Sequence, residues 1–193
     1  MQPKFEFTGE TKTVLGHTLQ RIRALRSFGN VNKGDLGGWL EKEANLSHER
    51  NSWVYGGACV YGGARVYDGA RVYGDAQVYS GAQVYGSAWV YGGAWVFGDA
   101  RVFDDERVSG NARVYKQNHI YIVPHIGSRN GTTTFFRTAD RKIWVNCGCF
   151  SGDIDQFAAA VKKTHGNNNH AQDYAAAIER AKDRIDLSEE GAQ

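Results

Sequence analysis

A six-residue repeat dominates the sequence and constrains its fold more than any other feature. From Val54 a valine recurs at every sixth position up to Val114, without an insertion. The residue four positions after each valine, up to residue 112, is alanine, with Glu106 as the exception. The residues between are mostly Gly, Asp or Ser, which readily form tight turns and tolerate positive φ. Each hexad is therefore predicted to be a short strand followed by a corner.

The strict period of six excludes most other folds. An α-helix has a period of about 3.6 residues, and an antiparallel sheet needs turns about every 8–12 residues. A parallel β-helix fits, with three hexads forming one triangular coil. Side chains alternate along each strand, so the valines point into the prism and their neighbours point outward. We expect about three and a half coils over residues 53–115, roughly 17 Å tall at a strand spacing of about 4.8 Å.

The repeat also resembles a known family. The run from Trp53-Val54-Tyr55-Gly56-Gly57-Ala58 to Asn111-Ala112-Arg113-Val114 is similar to the hexapeptide-repeat proteins. This resemblance implies a left-handed parallel β-helix that trimerises, whereas the general rule for parallel crossovers would give right-handed coils. The tyrosine-rich repeat, with the preceding segments at 34–39 and 45–48, resembles the acyltransferase-like hexapeptide proteins of phages and prophages.

The flanking segments lack the period of six. Residues 4–25 alternate in polarity around Gly16-His17, which predicts a β-hairpin that caps the first coil. Residues 28–52 are glycine-rich and polar and lead into the β-helix. We therefore divide the chain into an N-terminal β cap over 1–52, a hexapeptide-repeat β-helix over 53–115 and a C-terminal unit over 116–193.

The C-terminal unit is predicted to be a small α+β unit, ordered β-β-β-α-α. Three apolar segments at 120–123, 132–136 and 142–145 read as strands, and Asn130-Gly131 is a hairpin dipeptide. Ser151 or Asp153 can cap a helix that runs to about Thr164, with Gly166 after its end. A second helix is predicted from about residue 171 to 185, and the tail after Leu187 is expected to fray. The fold class is thus mainly β, with this unit appended.

Composition excludes several classes of protein. The chain has 5 Trp, 10 Tyr and 9 Phe among 193 residues, which argues against disorder because disordered chains are poor in aromatics. No run approaches the roughly 18 apolar residues of a membrane span, and the N-terminus does not resemble a signal peptide. Three cysteines do not make a secreted disulfide framework. We expect no membrane association and a cytoplasmic location, in the host cytoplasm if the protein is phage-encoded.

The net charge of +2 argues against a nucleic-acid binder driven by bulk electrostatics. Acyl transfer is the activity that the resemblance suggests, because hexapeptide acyltransferases use a histidine base and bind coenzyme A along the prism. No histidine lies between Val54 and Val114, however, so the base would have to be His48, His119 or His125. We assign no catalytic residue and expect no cofactor, and keep the coenzyme A-dependent acyltransferase as an alternative.

Four residues of the C-terminal unit are candidate metal ligands. Cys147 and Cys149, followed by His165 and His170, supply four soft ligands. Zinc-binding cysteines usually leave at least two residues between them so that the chain can wrap the ion, and this pair leaves one. We therefore predict no metal, and take these residues as a strand-end cysteine pair and two solvated histidines.

The outer faces of the prism carry the first candidate site. Residues 18 apart should stack, so the positions before the valines form columns: Trp53, Arg71, Trp89 and Arg107; Cys59, Gln77, Trp95 and Arg113; Arg65, Gln83 and Arg101. Rows of aromatic residues run beside these columns. Stacked guanidinium and indole groups attract each other by about 0.5–2 kcal/mol. The first column is predicted either to bind a ligand or to be a ladder that stiffens the sheet.

The aromatic rows also bear on assembly. Monomers rarely expose large contiguous apolar surfaces, so we expect a homo-oligomer, with a trimer favoured. Clefts between subunits would then be lined by Arg, Trp and Tyr, which suits a planar anionic ligand such as a nucleotide.

Two further sites complete the set of candidates. His125, Ser128 and Arg129 precede the predicted hairpin turn, and residues 148–152 lead into a helix N-terminus, which favours anions. If the sheet brings these segments together, they could bind a phosphate. Glu106 is the single charge at an inward position, and we expect the final coil to open there and expose the carboxylate to solvent.

We predict a non-enzymatic oligomeric scaffold for a small anionic, nucleotide-like ligand. If the phage resemblance holds, sequestering a host defence signal is a use for such a scaffold. The alternatives are the acyltransferase and a structural module whose aromatic faces bind only other protein subunits.

Overall fold

The computed structural model describes residues 2–188 and divides into two compact units, Met1–Asn111 and Ala112–Gln193. The tail predicted to fray after Leu187 falls largely on residues 189–193, which lie outside the described residues. No helix in the described part of the chain is long and apolar enough to span a membrane.

The first unit begins with an antiparallel hairpin and continues as a β-solenoid. Strands β1 (Phe5–Val14) and β2 (His17–Ala24) form the predicted hairpin, and β3 (Leu36–Leu40) pairs antiparallel with β2. Ten two-residue strands follow: β4 (Trp53–Val54), β5 (Cys59–Val60), β6 (Arg65–Val66), β7 (Arg71–Val72), β8 (Gln77–Val78), β9 (Gln83–Val84), β10 (Trp89–Val90), β11 (Trp95–Val96), β12 (Arg101–Val102) and β13 (Arg107–Val108).

Every third repeat strand pairs in parallel, which confirms three hexads per coil. One face has the order β4-β7-β10-β13, a second has β6-β9-β12, and the third has β3-β5-β8-β11 with the hairpin at its edge. Within the first face Arg71 stands beside Trp53 and Trp89, and Arg107 stands beside Trp89. The predicted stacking of residues 18 apart is therefore confirmed for these columns.

The interior of the solenoid follows the predicted alternation. The valines from Val54 to Val108 and the alanines from Ala58 to Ala100 are at most 1% exposed. The first corner residue of every hexad has positive φ, and most of these residues are glycine: Gly56, Gly62, Asp68, Gly74, Ser80, Gly86, Gly92, Gly98, Asp104 and Gly110. The corners also stack closely, since a Cβ on Gly62 would lie 3.0 Å from the backbone nitrogen of Ser80.

The solenoid starts earlier than the valine repeat. Leu40 pairs with Val60 and Leu46 bridges to Val66, so both leucines take the inward position of a repeat valine. Leu40 and Val60 are twenty residues apart, whereas Val60 and Val78 are eighteen apart. The extra two residues fall between Leu46 and Val54, where the corner is widened. The segment 28–52, predicted only as a polar lead-in, thus contributes a coil of its own.

The expectation for Glu106 is wrong. This residue is 1% exposed and occupies the inward position that alanine takes in the other hexads. Neither carboxylate oxygen of Glu106 has a hydrogen-bond partner among the described residues. Burial raises the pKa of Glu106 to about 8, the nearby backbone of Phe103 offsets this in part, and the charge of Asp104 adds to it. The coil does not open here, so the carboxyl group stays inside.

The second unit contains β14 (Arg113–Val114), β15 (Ile120–Ile126), β16 (Gly131–Arg137), β17 (Ile143–Cys147) and β18 (Phe150–Asp153), then α1 (Ile154–His165) and α2 (Asn169–Arg184). Strands β15 to β18 form an antiparallel sheet in sequence order. The sheet therefore has four strands where three were predicted. The fourth forms because Gly148, with φ of 59°, turns the chain in two residues and sets Cys147 opposite Phe150.

The two helices cover one face of this sheet. Asp153, one of the two predicted caps, begins α1, and Gly166 follows its last residue with φ of 59°. Asn168 caps α2 by accepting the backbone N–H of Ala171. The buried core between sheet and helices comprises Ile126, Phe135, Ile143, Val145, Phe157, Val161, Tyr174, Ala177, Ile178, Ala181 and Ile185.

Candidate functional site

The first candidate column is not an open ligand site. Trp53 is 1% exposed, and its indole packs edge-on against Phe28 at 5.3 Å and against Phe5 at 6.3 Å between ring centroids. In this structure the Trp53 side chain is closed to a ligand. Its side chain is covered because the N-terminal segments fold over the first coil, which the repeat pattern could not show.

The remaining members of the column contact one another. Arg71 approaches the ring of Trp89 from one neighbouring strand at 5.4 Å, and Arg107 approaches it from the other at 4.7 Å. Tyr73 lies edge-on to the same indole at 6.1 Å. An incoming aromatic ligand would have to displace a guanidinium to reach this ring. These contacts between Arg71, Trp89 and Arg107 fit the second interpretation of the column, a ladder of side chains that stiffens the sheet.

The aromatic rows stack as predicted. Tyr79 lies 5.0 Å from Tyr61 and 4.8 Å from Phe97, with the rings within 2° of parallel. A second row joins Tyr67, Tyr85 and Phe103 at 4.9 and 5.4 Å. Each ring covers its neighbour, so the exposed large apolar side chains in the described part of the chain are Leu15 and Leu36. The aromatic surface that favoured an oligomer is smaller than the sequence suggests, and the oligomer remains a prediction.

A cavity in the second unit brings several of the other candidates together. It has a volume of about 280 Å³ and lies between the turn after β15, the turn after β17 and helix α1. Ser128, Arg129, Cys147, Cys149 and His165 all contribute to its lining. The deeper wall is apolar and includes Ile126, Phe150, Phe157, Ala160 and Val161. His125 and His170 do not belong to the lining.

The cavity owes its shape to the turn that follows β15. A bulge at His125, with φ of 54°, shifts the register of β15 before the turn. Gly127 has φ of 75°, and a Cβ at this position would clash with the hydroxyl of Tyr174. The absence of a side chain at Gly127 therefore allows Tyr174 to pack below the turn, where its ring meets Phe157 at 5.4 Å. The exposed side chains of Ser128 and Arg129 then form the rim of the cavity.

The helix start does not form the predicted anion site. The carboxylate of Asp153 accepts the backbone N–H of Gln156 at 2.7 Å, and the Gln156 side chain accepts the Asp153 N–H at 3.1 Å. This reciprocal cap already places a negative charge at the N-terminus of α1. The cavity instead borders the last turn of the helix, at Thr164 and His165. A helix C-terminus favours cations, so Arg129 must supply the attraction for an anion.

The four soft ligands are not arranged around a metal. Within residues 2–188, no group of three His, Cys, Asp or Glu side chains is placed to hold an ion. The rings of His165 and His170 are 5.6 Å apart, while Cys147 accepts a hydrogen bond from the Thr133 hydroxyl at 3.1 Å.

The three histidines considered as an acyl-transfer base differ in their surroundings. His48 stacks on Phe5 at 4.5 Å, its Nδ1 accepts the Lys4 backbone N–H, and its Nε2 lies 2.7 Å from Oε1 of Glu43, so both of its ring nitrogens have partners. His119 is fully buried, and burial together with the charge of Arg137 lowers its pKa to about 4. His125 is exposed on the bulge. None of the three combines an open ring nitrogen with a carboxylate that orients the ring.

Such a pair does exist at a histidine that sequence reasoning missed. Nδ1 of His17 lies 2.7 Å from Oε1 of Glu41, and Oε2 of Glu41 accepts the backbone N–H of Gly62 at 2.6 Å. The His17 side chain is 40% exposed. The hydrogen bond from His17 is the main reason that the pKa of Glu41 is lowered. No sequence motif marks this pair, because the pairing of β2 with β3 brings it together.

Comparison with known proteins bears on the repeat. The family model described as the YdcK beta solenoid repeat matches residues 64–80, within the regular coils. A search of curated proteins finds no match. The match and the parallel pairing of β4 to β13 together support a β-solenoid repeat scaffold.

Proposed function

We propose that the chain is a non-enzymatic, oligomeric β-solenoid scaffold whose C-terminal unit binds a small anionic ligand in the cavity beside α1. The observation that carries this proposal is the lining of the cavity, with Arg129 and Ser128 at the rim and apolar side chains inside. Arg129 is exposed and lines the cavity, so its guanidinium can reach a bound anion. A ligand with one anionic group and a planar apolar part fits this arrangement.

The size of the cavity narrows the class of ligand. Sites for drug-sized molecules occupy roughly 300–1,000 Å³, so a cavity of about 280 Å³ is slightly smaller than this range. One formal cation at the rim suits a single phosphate or carboxylate. A mononucleotide, or a base carrying one phosphate, is the upper limit of size that we infer. Sequestering a signal of this class is the use that the phage resemblance implies.

The test is calorimetry against mono-, cyclic and dinucleotides, with Arg129→Ala and Arg71→Ala as matched variants. Both remove one arginine that lies at least partly on the surface, but only Arg129 lines the cavity. We expect Arg129→Ala to lose about 1.5–3 kcal/mol of binding free energy, roughly 10- to 150-fold in affinity, through a lost charge-assisted contact. Arg71→Ala should bind as the wild type does. If Arg71→Ala loses affinity and Arg129→Ala does not, the ligand site lies on the prism. If the wild type binds no nucleotide with a Kd below about 1 mM, the ligand proposal fails and the structural protein-assembly module remains.

Oligomerisation is tested separately. We expect light scattering at micromolar concentration to give a mass above that of one chain, with a trimer favoured. Tyr79→Glu places a charge in the middle of a stacked row and should dissociate the assembly. A wild-type protein that is monomeric under these conditions would refute this part of the proposal.

The pair formed by His17 and Glu41 favours acyl transfer as the second candidate function. A carboxylate that holds one nitrogen of an imidazole leaves the other nitrogen oriented to act as a base. Turnover of acetyl-coenzyme A in the presence of amine or hydroxyl acceptors tests this function. If the wild type turns over the donor and His17→Ala does not, the enzymatic alternative replaces the non-enzymatic scaffold.

A further inference from the structure

Two cysteines face the same cavity from one turn. Cys147 is the last residue of β17, Cys149 lies in the two-residue turn that follows, and both line the cavity. Cys149 is exposed and Cys147 is half-buried. The third cysteine differs, because Cys59 is buried in the first unit with its Sγ against the backbone oxygen of Gly57 at 3.3 Å.

The inner sulfur is held in place by hydroxyl groups. The Thr133 hydroxyl donates to Sγ of Cys147 at 3.1 Å, and the Tyr174 hydroxyl lies 3.5 Å from the same sulfur. Burial raises the pKa of Tyr174, so this phenol keeps its proton and can donate it in a hydrogen bond to a thiolate. These two contacts fix the position of the Cys147 sulfur inside the cavity.

The turn keeps the Cα atoms of the two cysteines close together. Two residues of chain span at most about 7 Å when fully extended, and a turn shortens this distance. The Cα atoms therefore fall near the range of roughly 4.4–6.8 Å that a disulfide requires. Gly148 between them has φ of 59°, a conformation that places the reversal at the residue separating the two thiols.

We propose that Cys147 and Cys149 form a dithiol that small-molecule disulfides oxidise reversibly to an intramolecular disulfide. The exposed thiolate of Cys149 attacks the small disulfide, which forms a mixed disulfide and releases one small thiol. The thiolate of Cys147 then attacks Sγ of Cys149 and releases the second small thiol, and both thiol protons pass to the water or to the departing thiolates. The two cysteine sulfurs are oxidised and the small disulfide is reduced to two thiols, so atoms and electrons balance.

This inference concerns the thiols alone and goes beyond ligand binding. A chain whose cavity binds no anion can still carry out the exchange, and a chain that binds an anion can fail to do so. The measurements for the two proposals are therefore independent.

The test exposes the full-length protein to glutathione disulfide and follows its intact mass and a peptide map after alkylation of the remaining thiols. We expect the wild type to lose two hydrogen atoms and to yield a peptide in which Cys147 and Cys149 are linked. Cys147→Ser should instead keep one glutathione on Cys149, because the second attack is lost. Cys149→Ser should react far more slowly, and Cys59→Ser, the matched control, should behave as the wild type does.

The peptide map of the wild type needs no variant, so a poorly folded variant cannot obscure the result. A wild-type protein that stays fully reduced, or that keeps glutathione on Cys149 as long as Cys147→Ser does, would overturn the proposal. A linked peptide that involves Cys59 would overturn it as well, since that thiol is buried in the other unit.

Discussion

Glu106 makes the stability of the solenoid depend on pH in an unusual direction. Its carboxyl group is buried without full hydrogen bonds, and its pKa rises from 4.5 to about 8, mainly because burial disfavours the charged form. Between these two values the folded chain holds a proton that the unfolded chain has released. Stability contributed by this group is therefore fully present below about pH 4.5 and is lost as the pH rises toward 8.

The magnitude follows from the pKa shift. Within this window the free energy of unfolding falls by about 1.36 kcal/mol per pH unit for each proton that only the folded chain holds. From pH 4.5 to pH 7 the loss from Glu106 alone is about 3 kcal/mol, a large fraction of the roughly 5–15 kcal/mol of a typical domain. Glu106→Gln keeps the shape of the side chain and removes the titration. We expect this variant to be about 3 kcal/mol more stable than the wild type near pH 7 and close to it near pH 4.5.

The assay is urea unfolding at several values of pH between 4.5 and 8, with the wild type and Glu106→Gln compared at each. The comparison is needed because other buried groups also titrate. The pKa of His119 is lowered from 6.5 to about 4, so the stability that this group contributes to the protein is lost as the pH falls below 6.5. The pKa of Lys4 is lowered to about 7 by burial and by the charge of Arg26, so its contribution to stability grows as the pH rises above 7. Both groups are present in both proteins, so the difference between the proteins reports Glu106.

Asp105→Asn provides the matched control, since Asp105 is the exposed neighbour of Glu106. This variant should follow the wild type at every pH. If Glu106→Gln and the wild type show the same pH dependence between 4.5 and 8, the carboxyl group reaches solvent after all and the argument from burial fails.

Three further predictions rest on packing and capping. Ala76→Leu should destabilise by roughly 1–3 kcal/mol through overpacking inside the prism, whereas Asp75→Asn at the exposed corner should change little, and equal melting temperatures for the two would refute the register. Asp153→Ala should cost about 1 kcal/mol in denaturant unfolding because α1 loses its cap, and an unchanged midpoint would contradict this. Gly127→Ala should lower the melting temperature of the second unit, since the new methyl group meets the Tyr174 hydroxyl at a residue with positive φ, and a wild-type melting temperature would show that the turn can shift.

The sequence by itself determined the solenoid, because the determinants of each coil are local and repeated. Val72 and Ala76 face inward and Gly74 turns the corner for reasons contained within one hexad, and the neighbouring coils repeat the same solution. The columns and aromatic rows followed from the same register. The prediction fails where the repeat is interrupted, because a charged residue at the inward position of Glu106 predicts an open coil and the structure buries this residue.

Local signals also determined most of the C-terminal unit, but not its last strand. Each apolar segment predicts a strand, and Asp153 and Gly166 predict the start and the end of α1. Residues 150–153 carry a mixed set of side chains that reads equally well as a loop. They form β18 because the turn at Gly148 brings them beside β17, so that pairing rather than composition decides.

Only the tertiary structure decided which candidate residues could work together. Trp53 belongs by its spacing to an outward column, yet Phe5 and Phe28 bury it from a distant part of the chain. His17 meets Glu41 through the pairing of β2 with β3, and Arg129 meets Cys149 at a cavity that neither turn forms alone. Such contacts depend on long-range packing of dissimilar segments, and no period or motif in the sequence encodes the distance between two side chains on different elements.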